Sequence, residues 1–243
     1  MEILAVAIQK GGTGKTTTAA VLAQAAAHKG KKVLAIDLDP QGNLSFTSGA
    51  DTAAGGSSYD LLNGVAAKDV IQTTQQGFDI IPASWSLQTE TTGKGSAKRL
   101  KTAIDPIKKK YDLIIIDTPP TAGELQYNAL FAATGLIIPL LADIYSLQSL
   151  YQIIDTAKQI KQGNKQLSIK GFVISQLDSR STIAKQMQEN IIVAANKNKI
   201  HYLGSIRTGV AVKEAAALQQ NLYDYAPKSN PAKDYLTLLE QLI

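Results

Sequence analysis

Short apolar runs alternate with longer amphipathic or alanine-rich stretches along the whole chain. The runs rich in β-branched residues cover positions 3–8, 32–37, 78–81, 112–117, 135–140, 169–175 and 200–206. Several are apolar without interruption, the pattern of a strand buried on both faces of a parallel sheet. Between them the spacing predicts helices over 15–29, 97–110, 124–133, 147–162, 180–198 and 232–242. This alternation predicts an α/β fold, a doubly wound and mostly parallel sheet flanked by helices. Stretches 49–58 and 89–96 read as loops and neither is a domain linker, so residues 1–243 are expected to form one domain. In such sheets ligands gather at the C-terminal ends of strands. The loops after Ile8, Ile36, Ile116, Leu140, Ser175 and Ile206 are therefore the places to look.

Composition narrows the function. A hydrophobic content of 44% over 243 residues supports a substantial core. No apolar run reaches the roughly 18 residues of a membrane span; the longest, 130–142, is interrupted by Thr134, Gly135 and Pro139. The N-terminus enters a strand directly, without the pattern of a secretory signal. There is no cysteine, which excludes disulfides, thiolate catalysis and iron–sulfur clusters. The two histidines, His28 and His201, lie too far apart in sequence to indicate a zinc site. The formal charge of +5 fits either ordinary lysine-rich faces or contact with a polyanion.

Between the first run and the first helix stands Gln9-Lys10-Gly11-Gly12-Thr13-Gly14-Lys15-Thr16-Thr17. Strand, glycine loop and helix form the layout of a phosphate-binding loop. Glycines let the backbone curl so that successive N–H groups face one anion, and the helix adds the positive end of its dipole. Lys15 can reach the β- and γ-phosphates of a nucleotide, and the Thr16 hydroxyl can bind Mg²⁺. The loop departs from the usual pattern at Gln9, where glycine is normal, and carries a second lysine, Lys10. Lys15 already serves the chain's own nucleotide. The charge of Lys10 is therefore better placed on a phosphate held by another subunit.

Two acidic loops follow. In Asp37-Leu38-Asp39-Pro40-Gln41-Gly42-Asn43, two carboxylates at i and i+2 end a strand and Pro40 turns the chain out of the sheet. Such a pair suits Mg²⁺ or the placing of an attacking water; Asp and Asn also build ordinary helix-capping turns. In Leu113-Ile114-Ile115-Ile116-Asp117-Thr118-Pro119-Pro120 an apolar strand ends in an aspartate. Asp117 is either a metal-holding carboxylate, acting through water, or a plain strand-ending residue.

In order and spacing these loops resemble the ParA family of ATPases, within the deviant Walker A group of P-loop NTPases that includes MinD. The resemblance extends to Asn128-Ala129-Leu130, Ile138-Pro139-Leu140 and the closing stretch from Tyr225 to Tyr235, so it spans nearly the whole chain. It implies a slow, dimer-dependent ATPase using ATP, ADP and Mg²⁺. Lys10 matches the lysine that crosses to the partner's nucleotide in a sandwich homodimer. Lys15 matches the phosphate-binding lysine, and Gly11 and Gly12 the glycines of the dimer face. Thr13, Gly14 and Thr17 complete the loop. Asp39 matches the aspartate needed for hydrolysis; Thr16, Asp37, Asp39 and Asp117 form the metal-side set. Gln176 and Asp178, after the strand at 169–175, and Arg207, after that at 200–206, are candidate adenine contacts.

The resemblance also implies non-specific binding of double-stranded DNA in the ATP state, reset when a ParB-like centromere-binding protein stimulates hydrolysis. Arg180, Lys185, Lys197, Lys199, Arg207 and Lys213 are the candidate DNA contacts; each alone also fits a solvated face. Relatives often carry Ile-Pro-Arg where this chain has Ile206-Arg207-Thr208. A cytoplasmic, nucleoid-associated protein is expected, without the N-terminal helix-turn-helix extension of many plasmid relatives. The alternative is a membrane-positioning ATPase of the MinD type. That alternative calls for a basic amphipathic helix at the end of the chain, and no lysine or arginine follows Lys233. A related tyrosine kinase is a third possibility, but Tyr223, Tyr225 and Tyr235 do not form a terminal tyrosine cluster.

Overall fold

The computed structural model describes residues 1–53, 55–89 and 96–243. Parts of both predicted loops, at residue 54 and residues 90–95, lie outside the described residues. The strands are β1 (Glu2–Val6), β2 (Val33–Asp37), β3 (Gln72–Thr73), β4 (Asp79–Ile81), β5 (Leu113–Asp117), β6 (Gly135–Leu140), β7 (Ser168–Leu177) and β8 (Tyr202–Arg207). They form one sheet in the order β3-β4-β2-β5-β1-β6-β7-β8. Every neighbouring pair is parallel except β3 with β4. The helices are α1 (Lys15–His28), α2 (Asn43–Thr47), α3 (Ser58–Leu62), α4 (Arg99–Ile104), α5 (Glu124–Ala132), α6 (Ser146–Lys161), α7 (Thr182–Lys197), α8 (Val210–Ala217), α9 (Leu222–Tyr225) and α10 (Asn230–Leu242).

Period-two geometry divides each strand between two cores. In β1, Ile3 and Ala5 face the layer of α3 to α7, while Leu4 and Val6 face α1 and α8 to α10. The same division in β2 and β5 explains why their runs are apolar without alternation. Helix α1 is alanine-rich because it lies flat on the sheet, and Ala19, Ala23, Ala25 and Ala26 are fully buried. Helix α10 packs beside it: Tyr235, Leu238, Leu239 and Leu242 are buried in the core. These leucines hold the fold together and present no apolar face outward. Among the described residues, no helix is long and apolar enough to cross a membrane.

Three expectations are corrected. The helix at 97–110 is a short 3-10 turn (Ser96–Lys98), then α4, then a second 3-10 turn (Lys108–Lys110). Pro106 lacks an N–H and clashes with the preceding turn, so the helix stops before it. The short antiparallel strand β3 and the helices α2, α3, α8 and α9 were not predicted, being too short or too small in side chain to show periodicity. The first strand ends at Val6 rather than Ile8, although Ala7 N–H still donates to Ile137 O at 3.1 Å.

Gly171 marks a bulge in β7, where its pairing with β6 shifts register. It has φ 152°, and an added Cβ would collide with the carbonyl oxygen of His201 and lie 2.7 Å from Leu203 Cγ. Those atoms lead into β8, so no flexible side-chain end can yield. Gly171→Ala is expected to destabilise the fold by about 3 kcal/mol through combined strain and overpacking. A urea unfolding midpoint unchanged from wild type would contradict this.

Candidate nucleotide site

The C-terminal ends of β1, β2, β5, β7 and β8 surround a cleft of about 760 Å³, within the range of small-molecule sites. Gly11 to Thr17 form one wall, and Asp39, Gln176, Arg207 and Lys213 lie around it. Gly12 (φ 72°) and Gly14 (φ 83°) occupy the left-handed region, which turns the loop back into α1. Gly14 is the N-cap of α1, with no side-chain cap and no acidic residue in the first turn. The N–H groups and dipole of that turn are thus available to an anion.

The two lysines of the loop point to different places. Lys15 is buried in the cleft and donates from Nζ to Lys10 O at 2.7 Å. Burial pulls its ammonium below the ordinary value, while the charges of Asp117 and Asp39 pull it up. Lys10 leaves the cleft. Its Nζ donates to both oxygens of Asp143, at 2.7 Å to Oδ1, and lies 5.8 Å from the centre of the Tyr145 ring. Asp143 in turn accepts from the N–H of Ser146, the first residue of α6. Asp143 escaped the sequence reading: the loop after Leu140 was marked as a place to look, but no residue in it was given a role. Gln9, where the loop departs from the usual glycine, donates to Gln126 Oε1 (3.2 Å) on α5 and Thr156 Oγ1 (3.0 Å) on α6.

The acidic residues form two layers. Asp39 borders the cleft and uses one oxygen to accept the N–H of Gln41 at 3.0 Å. Asp37 and Asp117 lie beneath it, fully buried. Both oxygens of Asp37 are engaged: Oδ1 accepts Asp39 N–H, and Oδ2 accepts the N–H and hydroxyl of Ser45. Its geometry organises the turn into α2, as the helix-capping alternative requires. Asp117 Oδ1 accepts Thr118 N–H, while Oδ2 is buried without a partner. Burial and the nearby Asp37 raise Asp117 well above the carboxylate range, against the opposing influence of the nearby Thr16 hydroxyl and Lys15. Among the described residues, no three acidic, histidine or cysteine side chains can hold a metal ion by themselves. Thr16, an open carboxylate oxygen and an exposed face for water fit Mg²⁺, which takes few protein ligands and keeps its waters.

Burial pushes Asp37 up to about 6, with hydrogen bonds from Ser45 and Asp39 opposing and the Asp39 charge adding to the rise. Between 3.8 and about 6, the folded chain therefore holds a proton that the unfolded chain has lost. The stability contribution is present below that window and is lost as pH rises through it, by about 3 kcal/mol. The urea midpoint of nucleotide-free protein should fall from pH 4 to pH 7 more steeply than that of Asp37→Asn. Equal slopes would refute the shift.

The predicted adenine and DNA contacts divide. Gln176 sits in the cleft wall with φ 52° and donates to Gly12 O at 3.1 Å. Asp178 is turned away and pairs with Arg180 at 3.1 Å. Arg207 borders the cleft, but its guanidinium is held by Asp234 of α10, at 2.6 Å and 3.0 Å. Lys213 also lines the cleft and is exposed. Lys185 is near the start of α7, while Lys197 and Lys199 lie at its far end, about 18 Å away at helical rise. The six basic residues are thus spread between the cleft wall and the two ends of α7. Ser175 was also missed; its hydroxyl donates to Thr13 O and to Leu140 O, tying β7 to the loop.

A family model described as an AAA domain matches residues 1–169. The chain is 36% identical over 251 residues to the sporulation initiation inhibitor protein Soj of Bacillus subtilis, covering 99% of this chain and 98% of that protein. It is 34% identical over 242 residues to the chromosome-partitioning ATPase Soj of Thermus thermophilus, covering 99% and 94%. It also matches the crystal structure of the Mycobacterium smegmatis protein named cobyrinic acid a,c-diamide synthase, with bound ATP analogue and magnesium. That match has a TM-score of 0.86 at 29% identity and covers 100% and 94% of the two chains.

Proposed function

The chain belongs to the ParA and MinD family of P-loop ATPases, and on that premise we propose that it partitions DNA: a chromosome, a plasmid or an integrated element. It is an ATPase of the ParA type. ATP and Mg²⁺ would occupy the cleft; the similar Mycobacterium smegmatis structure holds a bound ATP analogue and magnesium. Two copies close over two ATP molecules, and the closed dimer binds DNA along its phosphates. A ParB-like partner stimulates hydrolysis and releases the DNA. The protein then acts in the cytoplasm, on the nucleoid.

The observation that carries this reading is the opposite direction of the two lysines. Lys15 serves the chain's own cleft, while Lys10 lies outside it on Asp143. Releasing one partly exposed ion pair frees Lys10 for a phosphate across the interface. Gly11 and Gly12 are exposed, with no atom within 4 Å of an added Cβ, which leaves room for close approach by a second copy. In the cleft, Lys15 and the first turn of α1 bind phosphate oxygens, Asp39 orients the attacking water, and Thr16 and Asp117 hold Mg²⁺. The metal supplies neutralisation of phosphate charge. Phosphoryl transfer asks for this positioning and charge stabilisation more than for covalent chemistry.

Retention on DNA with ATP, ADP or no nucleotide, across a salt series, tests the switch. Retention is expected only with ATP and should fall steeply with salt, as phosphate contacts do. Equal retention in all three states would sink the proposal.

A further inference from the structure

A second large depression lies between α3 and α4 and shares no lining residue with the nucleotide cleft. It is a groove of about 710 Å³. Its floor is apolar and recessed: Leu61, Leu62, Ala67 and Ile107 are all buried. Val65 stands on its edge, 41% exposed. Lys68, Lys98, Arg99 and Lys110 surround it, and no described aspartate or glutamate lines it, although Lys68 lies 4.0 Å from the exposed Asp69 beside it. Lys98 sits 5.5 Å from the centre of the Phe131 ring, and neither it nor Lys110 has a carboxylate partner among the described residues. Beyond the rim, Lys108 is paired with Asp105 at 2.6 Å and Lys109 adds a further positive charge. None of these residues has a role in the ATPase chemistry proposed above.

We propose that this groove docks an acidic amphipathic helix of a partner protein. Apolar side chains along one face of such a helix would fill the floor, while its carboxylates would meet Lys68, Lys98 and Lys110 on the rim. The combination is that of a helix-in-groove interface with complementary charge. A lipid surface would also be drawn to the lysines. It is flat, however, and the apolar atoms here are recessed, so a bilayer could not reach them.

The probe is a fluorescein-labelled synthetic helix of roughly 16 residues, with leucines at i, i+3, i+4 and i+7 and glutamates elsewhere. Its anisotropy is read against the full chain at low salt. Binding with a micromolar Kd is expected, and the same peptide with lysines for glutamates should bind at least about tenfold more weakly. The triple variant Lys68→Glu, Lys98→Glu, Lys110→Glu and, separately, Val65→Asp should each weaken binding about tenfold or more without changing ATP turnover. Four results would overturn the proposal: no binding of the acidic peptide, equal binding of both peptides, indifference to both variants, or capture of phosphatidylglycerol vesicles in place of the peptide.

Discussion

Lys15→Ala is expected to weaken nucleotide binding by at least about a hundredfold and to leave no measurable turnover. The size of the effect follows from what surrounds the ammonium. Lys15 is the buried cation of a site that also contains Asp37, Asp39 and Asp117. Removing it deletes a charge-assisted bond to phosphate and leaves the carboxylates facing a polyanion with their nearest positive charge gone. The loop would also lose the Nζ contact to Lys10 O that shapes it without ligand. A fluorescent ATP analogue titrated with Mg²⁺ gives the affinity directly. The rise in melting temperature that ligand gives wild type should vanish in the variant. Affinity within about threefold of wild type would mean that the cleft is not where nucleotide binds.

The sequence showed those features of the site that are local in the chain. A glycine loop between strand and helix needs only residues 9 to 17 to be recognised. Asp37 and Asp117 each end a strand whose apolar run is unmistakable, and Asp39 follows two residues after the first. The central strands β1, β2, β5 and β6 were visible for the same reason: burial on both faces leaves no polar position to confuse the pattern. What escaped notice depends on distance in the chain or on small side chains. Lys10 and Asp143 are 133 residues apart and meet only because β1 and β6 are neighbours. The hold of Asp234 on Arg207 depends on how α10 crosses β8. Helix α8 is mostly alanine and valine, so its period has little contrast. Asp37 shows the converse: its position in the sequence suggested a ligand, and its hydrogen bonds to Ser45 and Asp39 reveal a carboxylate engaged in building the loop.

The second large effect is expected from Lys10→Ala, and its value lies in combination with Asp39→Ala. Alone, Lys10→Ala should retain ATP binding, because Lys15 and the first turn of α1 are untouched, but lose turnover. Asp39→Ala should bind ATP, accumulate as a dimer and also fail to turn over. Neither result says whose nucleotide Lys10 serves. Mixing the two inactive proteins does. If Lys10 acts across the interface, the Lys10→Ala protomer keeps its own Lys15 and Asp39 and borrows Lys10 from its partner. One of the two sites in each mixed dimer is then complete. In an equal mixture, half the dimers are mixed and half their sites work, so about a quarter of wild-type turnover should return. If Lys10 instead served its own chain, every site would lack either Lys10 or Asp39, and the mixture would stay inactive. The ion pair with Asp143 makes the cross-interface outcome physically accessible. Lys10 is partly exposed, and the pair trades against a phosphate whose charge is greater than that of one carboxylate. A mixture that remains inactive although native mass measurement shows mixed dimers would remove Lys10 from the partner's site and leave it as a brace for α6.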